Sequence, residues 1–260
     1  MAQSGSDRRR ITGPEESRAP VFDDEDSVPW RIGEPRRGRG AKDIRPIFLK
    51  AGLISQANGS AYIETQRTKI ACAVYGPRQS KSSAYSENGK LNVDVKFAPF
   101  SCPVRRAPLR DAEDRSVSVL MHQALVSAVR LELFPKAVID IFVVVIECDG
   151  LDSCIASGTV ACSTALANAG IEMLGLVMSC AAISVGDDIW LDPTGEEAEN
   201  AVGSVILACM PALSTVTSVR QVGSMPPATA MQAMDICQER CTDIHQVVAQ
   251  ALLASTKNSE

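Results

Sequence analysis

The chain has 260 residues, 45% apolar, 22% charged and only 4% aromatic, and its 31 acidic and 26 basic side chains leave a formal net charge of −5. That length suits one large domain or two small ones, with a core that needs no staples. The composition excludes a collagen-like, disulfide-dense or wholly disordered chain, and the longest apolar stretch, residues 138–146 with Asp140 inside it, falls well short of the ~20 residues of a membrane helix.

Residues 1–43 are rich in Pro, Gly and charge and read as a disordered arm. It opens MAQSGSDRRR, polar and basic, so no secretory signal is expected. Glu15 to Asp26 is an acidic stretch and Arg36, Arg37 and Arg39 a basic one, with Val28 and Trp30 as candidate anchors on a partner. A single domain is expected over residues 44–255, with a short tail at 256–260.

From Arg45 the pattern turns to strands. RPIFLKAGLIS, GSAYIET and TKIACAVYGP are rich in Ile, Val and Tyr, and Asn58-Gly59 and Gln66-Arg67 separate them as tight turns. LNVDVKFAP fits a fourth strand. Asp111 to Leu133 has helical spacing through Val117, Leu120, Ala124, Ala128 and Leu131, ended by Phe134-Pro135. AVIDIFVVVIE is a continuous β-branched run, the mark of a strand buried on both faces. Cys154 to Ala169 follows as a helix of small residues able to lie close on a sheet, with Gly170 as its C-terminal cap. Strands are expected at Met173 to Val185, Val202 to Met210 and Leu213 to Val219. A last helix starts at Pro226-Pro227 and sets Met234, Cys237, Cys241, Ile244, Val248 and Ala251 on one face. Hairpins at the front and crossovers later predict an α+β fold, mixed sheets covered by helices.

Charge runs in blocks. Residues 44–136 carry 14 basic and 7 acidic side chains, whereas residues 137–219 carry 11 acidic side chains and no Lys or Arg. A basic block can meet nucleic acid by releasing counterions, or an acidic neighbour in an assembly. The cation-free block cannot by itself hold a phosphoryl group with a side chain. Nine cysteines without an export signal point to a reducing compartment. With no CxxC pair and only His122 and His245, the thiols read as small buried apolar groups.

No nucleotide-binding glycine loop, zinc-protease helix or serine-hydrolase elbow occurs. Asp192, Glu196, Glu197 and Glu199 form the main acidic cluster, which suits either a magnesium site with acid–base work or a solvated turn. Arg105, Arg106, Arg110 and Arg115 form the main basic cluster. It suits either a phosphate-backbone grip or a surface loop paired with Asp111, Glu113 and Asp114.

The segments RPIFLKAGLISQANGSAYIETQRTKIACAVYGPR, HQALVSAVRLELFPKAVIDIFVVVIECDG, ALANAGIEM and WLDPTGEE together resemble RNase PH-like ring subunits of the eukaryotic RNA exosome, over roughly residues 44–255. The resemblance implies a ribosomal-protein-S5-domain-2-like fold. It implies partners too: other RNase PH-like ring subunits, S1/KH-type cap proteins, and single-stranded RNA in the ring channel, with no membrane. Localisation would be nuclear, nucleolar and cytoplasmic. Active members cleave RNA at its 3′ end by phosphate attack, using a Gly-Thr-Arg-like loop and an Asp pair. Here Leu151, Asp152 and Ser153 follow Asp149-Gly150, and the ungapped count puts Ile155 at the Arg position. The first Asp matches Asp192, while the second falls on Ala198, or on Glu197 with a one-residue gap. The expectation is therefore a non-catalytic ring subunit with a vestigial acidic motif at Asp192 and Glu197, no metal and no cofactor. Arg105, Arg106 and Arg110 match, loosely, the region where the family contacts RNA. The alternative is an active phosphate-dependent 3′-to-5′ exoribonuclease.

Overall fold

Strand β1 (Phe48–Ala51) pairs antiparallel with β2 (Gly59–Thr65), which pairs antiparallel with β3 (Thr68–Gln79). The computed structural model describes residues 30, 34, 36, 38–80, 86–103, 105–106, 112–186 and 188–257. The β2–β3 connection is the expected tight turn, with Gln66 in the left-handed region at φ 52°. Asn58-Gly59 is not a turn. Gly59 is the first residue of β2, and a Cβ there would sit 2.3 Å from the Ala169 nitrogen and 2.4 Å from the Ala165 oxygen. Its bare backbone lets a helix lie directly on the strand.

β4 (Lys90–Phe97) runs parallel to β5 (Ala137–Glu147), and the first sheet has the order β1-β2-β3-β5-β4. β5 departs from the sequence reading. It is buried on one face only, and Phe142 and Val144 are 41% and 43% exposed. The helices packed on this sheet cover one side, so the alternate residues of an apolar run face outward. Phe142 packs edge-on against Tyr75, ring centroids 5.8 Å apart.

Helix α1 (Ala112–Val126) is shorter than its periodicity. Beyond Val126 the backbone pairs instead with residues 172–174: Val129 bridges Met173, and Leu174 N–H donates to the Ala128 carbonyl at 2.8 Å. Helix α2 (Leu151–Asn168) begins three residues before Cys154 and is buried at 13 positions, because it lies between the sheets and touches β2, β3 and the central strands of the second. Small side chains permit this sandwiching. Gly170, at φ 71°, ends it, and Ile171 N–H bonds back to the Leu166 carbonyl at 3.2 Å, a Schellman closure.

The second sheet is antiparallel in the order β7-β6-β8-β9. β6 (Met178–Val185) starts five residues later than expected, β8 (Gly203–Met210) starts one later, and β9 (Thr215–Gly223) starts two residues later than the expected last strand and runs four residues further, because Pro211–Leu213 form a 3-10 turn. β7 (Asp188–Leu191) and the one-turn α3 (Gly195–Glu199) are additional, each too short to show a period. Helix α4 (Pro227–Lys257) packs on β6, β8 and β1, with Cys237, Cys241, Ile244 and Val248 buried. No helix among the described residues is long and apolar enough to cross a membrane.

Candidate functional site

Three carboxylates from distant parts of the chain meet at one end of the sheets. Asp149 lies between β5 and α2, Asp192 just past β7, and Glu197 inside α3. Asp192 sits in the left-handed region at φ 48°, which an aspartate tolerates better than most residues. Glu197 completes a capping box with Thr194, so its placement follows from the local sequence Thr-Gly-Glu-Glu.

Each carboxylate is met by arginines from the N-terminal side of the chain. Arg45, fully buried, donates from Nε to Asp192 Oδ2 at 2.8 Å and from Nη2 to Oδ1 at 2.7 Å, and its backbone N–H donates to Oδ2 at 2.9 Å. Its Nη1 reaches Asp149 at 3.1 Å, and its Nη2 also bonds the Ser153 hydroxyl. Arg36 forks onto Glu197, Nε to Oε1 at 2.9 Å and Nη2 to Oε2 at 2.8 Å, and also reaches the Leu191 carbonyl at 2.6 Å. Arg39 bridges Asp192 at 3.4 Å and Glu197 at 3.1 Å. Planar guanidinium forks match carboxylates in this way, whereas lysine does not.

Trp30 anchors the approach. Its ring meets Trp190 edge-on at 5.0 Å, its indole N–H donates to the Glu34 carbonyl at 3.1 Å, and its backbone N–H donates to Glu196 at 3.3 Å. Arg36 lies over the Trp190 ring, 5.5 Å from its centroid. Trp30, Arg36 and Arg39, which the sequence boundary at residue 43 assigns to the arm, are thus seated on the domain itself.

Burial alone would raise the carboxyl of Asp192, but the Arg45 hydrogen bonds and charge reverse that and hold it below the usual range. Glu197 behaves alike: burial raises it, and Arg36 and the Thr194 backbone pull it below its ordinary value. For Asp149 burial outweighs the nearby arginines, and its carboxyl is raised. Both oxygens of Asp192 and both of Glu197 accept hydrogen bonds from these partners. Among the described residues no group of three or more His, Cys, Asp and Glu side chains is arranged to hold a metal ion. The cluster borders a cavity of about 680 Å³ lined by cations and carboxylates alike, among them Arg39, Lys42, Glu196 and Arg240.

The start of α2 is closed in the same manner. Asp152 sits in the first helical turn and pairs with Arg220 of β9, Oδ1 to Nη1 3.2 Å. A carboxylate therefore occupies the electropositive helix end.

The basic candidates divide. Arg105 is exposed. Arg106 is folded inward, 4.1 Å over the Phe97 ring, with Nε on Cys102 Sγ at 3.2 Å and Nη1 3.0 Å from Glu113. Arg110 lies outside the described residues. Sequence reasoning singled out Asp192 and Glu197 but not their partners. The available signal was the cation-free block itself, since its buried carboxylates had to draw on arginines from elsewhere.

Residues 43–172 match the family model described as the 3′ exoribonuclease family, domain 1. The chain is 34% identical to the exosome complex component mtr3 of Schizosaccharomyces pombe, covering 98% of this chain and 99% of that one. It is 35% identical to the exosome complex component MTR3 of Homo sapiens, covering 96% of each. A subunit of the Archaeoglobus fulgidus exosome, solved with RNA bound to the active site, superposes with a TM-score of 0.71 at 16% identity, over 80% of this chain and 90% of that one, which speaks to the fold.

Proposed function

The chain belongs to the 3′ exoribonuclease (RNase PH) family, and from that premise we propose that it is a non-catalytic ring subunit of an RNA exosome core. It is similar along nearly its whole length to the subunit called mRNA transport regulator 3 in fission yeast and human. In this role it packs against other RNase PH-like subunits and supports S1/KH-type cap proteins. The ring holds a channel for single-stranded RNA undergoing 3′-to-5′ processing and degradation, in nucleus, nucleolus and cytoplasm.

The observation that carries the non-catalytic part is the saturation of Asp192 and Glu197 by Arg45, Arg36 and Arg39. A carboxylate engaged on both oxygens by guanidinium must give up part of that pairing before it can position a metal or pass a proton to a leaving group. A second observation supports it. The helix end where a phosphate would gain most from the α2 dipole holds Asp152, and its cation Arg220 is already paired. The exposed Arg105, together with Arg110, is the part of the basic cluster proposed to meet RNA.

The test is the tagged full-length chain purified from its own cells, with native mass and partners measured, then assayed for phosphate-dependent RNA shortening. The expected result is a ring of about six RNase PH-like chains plus caps, and nucleoside diphosphate release that is unaltered by Asp192→Asn. Diphosphate release abolished by that substitution, with the ring still assembled at its native mass, would establish the phosphorolytic alternative instead. A lone chain or a self-ring would overturn the assembly.

A further inference from the structure

All nine cysteines are free, and every one has another cysteine beside it. Six of them are shut in the core. Cys72 and Cys162 are 3.7 Å apart between β3 and α2, and Cys180, Cys209, Cys237 and Cys241 gather between the second sheet and α4. The remaining three differ. Cys102 lies in the loop after β4, Cys148 just past β5, and Cys154, buried, in the first turn of α2. Cys102 and Cys148 are half-buried, so solvent reaches this group and none of the others.

The backbone holds the two half-buried thiols on neighbouring extended segments. Ala98 N–H donates to the Val145 carbonyl at 2.9 Å, and Cys148 N–H donates to the Ser101 carbonyl at 2.8 Å. That last bond sets Cys148 against Ser101, next to Cys102, and each thiol's titration feels the other. The loop then folds back over Cys102: Arg106 N–H donates to the Pro99 carbonyl at 2.9 Å, and Arg106 Nε donates to Cys102 Sγ at 3.2 Å.

We propose that Cys102 and Cys148 are an oxidation site, a dithiol that a peroxide converts to a disulfide that frees Arg106 from its sulfur partner. The Cys102 sulfur attacks one peroxide oxygen, the O–O bond breaks, and Cys102 sulfenic acid and water form. The Cys148 sulfur then attacks the Cys102 sulfur. The S–S bond forms, the S–O bond breaks, and hydroxide leaves as water with the proton from Cys148. Two thiols are oxidised by two electrons and one peroxide is reduced to two waters.

Exposure and the neighbouring guanidinium make Cys102 the entry point, while Cys148, whose Sγ points to the Gly150 carbonyl at 3.5 Å, resolves the intermediate. The neighbouring Cys148 and burial raise the Cys102 thiol. Cys102 lowers Cys148, but Cys154 and burial push it up to about 12. Both are therefore protonated at neutral pH. The pair resists trace oxidant and yields to sustained exposure, faster as pH rises.

The test uses the full chain in hydrogen peroxide at neutral pH, alkylated at intervals and mapped by peptide mass. The expected first product is a Cys102–Cys148 disulfide, two hydrogens lighter and restored by dithiothreitol. Cys148→Ser should leave Cys102 as a sulfenic acid trapped by dimedone, and Cys102→Ser should leave Cys148 reduced over the same interval. Independently of any variant, maleimide should label Cys102 at least about tenfold faster than the six core cysteines. A first disulfide at Cys72–Cys162 or Cys148–Cys154, direct sulfinic acid at Cys102 in the unaltered chain, or equal labelling of all nine thiols would overturn the proposal.

Discussion

Arg45 and Asp192, 147 residues apart, are joined by three hydrogen bonds of 2.7–2.9 Å, two from the guanidinium and one from the arginine backbone. The pair ties the entry to the first sheet to the end of β7. Because the Arg45 side chain is wholly buried, the contact is one whose loss leaves a charge without water.

Asp192→Ala should therefore destabilise the chain by about 3–5 kcal/mol, the range for breaking a buried pair from one side. Arg45→Met together with Asp192→Leu should recover part of that, since the buried guanidinium leaves with its main partner while Asp149 and Arg39 each lose one contact. Urea denaturation at neutral pH compares them. A loss below about 1 kcal/mol for the single change would show that water reaches Arg45.

The same arginines set an acid response. Asp192 and Glu197 have native carboxyls held below their ordinary values. The stability they contribute is full above the unfolded carboxylate pKa of about 4 and is lost as pH falls through that value toward their depressed native ones. Asp149, with a raised carboxyl, acts in the opposite sense and partly offsets the loss. Denaturation midpoints at pH 7, 5, 4 and 3 should hold steady and then fall. Glu197→Gln should flatten the fall, and an unchanged profile in that variant would refute the assignment.

Gly59 is fixed by space. A Cβ there would collide with backbone atoms of Ala165 and Ala169 at 2.3–2.6 Å, and backbone cannot rotate aside. Gly59→Ala should cost about 3 kcal/mol, the upper end for overpacking, as α2 is pushed off β2. Gly158→Ala is the contrast: its Cβ would meet the flexible end of Met121 at 2.2 Å, and the cost should be smaller. Thermal melts of the two variants rank them.

The segment around Trp30 should open on its own. Trp30→Ala removes the packing on Trp190 and leaves the two sheets intact. Trypsin has targets there at Arg36 and Arg39, and cleavage at them should rise about tenfold with little change in the global melting temperature. A melting temperature that falls in step with cleavage would make the segment part of the main cooperative unit.

Much of this was legible because period and composition carry it. β2, β3, β8 and α4 follow from alternation or helical spacing. β7 has four residues and shows no period, and the end of α1 is set by a bridge between Val129 and Met173 that no local pattern encodes. The outward Phe142 and Val144 look identical in sequence to inward residues. The charge blocks were visible, but their meaning was not. Arg78, Lys69, Arg45, Arg220, Arg130 and Arg36 meet Asp140, Glu147, Asp149, Asp152, Glu172 and Glu197, so much of the acidic block is answered within the chain. Long-range pairing of that kind leaves only a compositional trace.

The long separation between each arginine and its carboxylate has a consequence for synthesis. Arg36, Arg39 and Arg45 emerge early, and Asp192 and Glu197 follow some 150 residues later. At about 5–20 residues per second the wait is roughly 7–30 s. Throughout it the nascent first sheet must keep three guanidinium groups hydrated. Closure of the molecule is thus a late event, timed by the ribosome's arrival at α3.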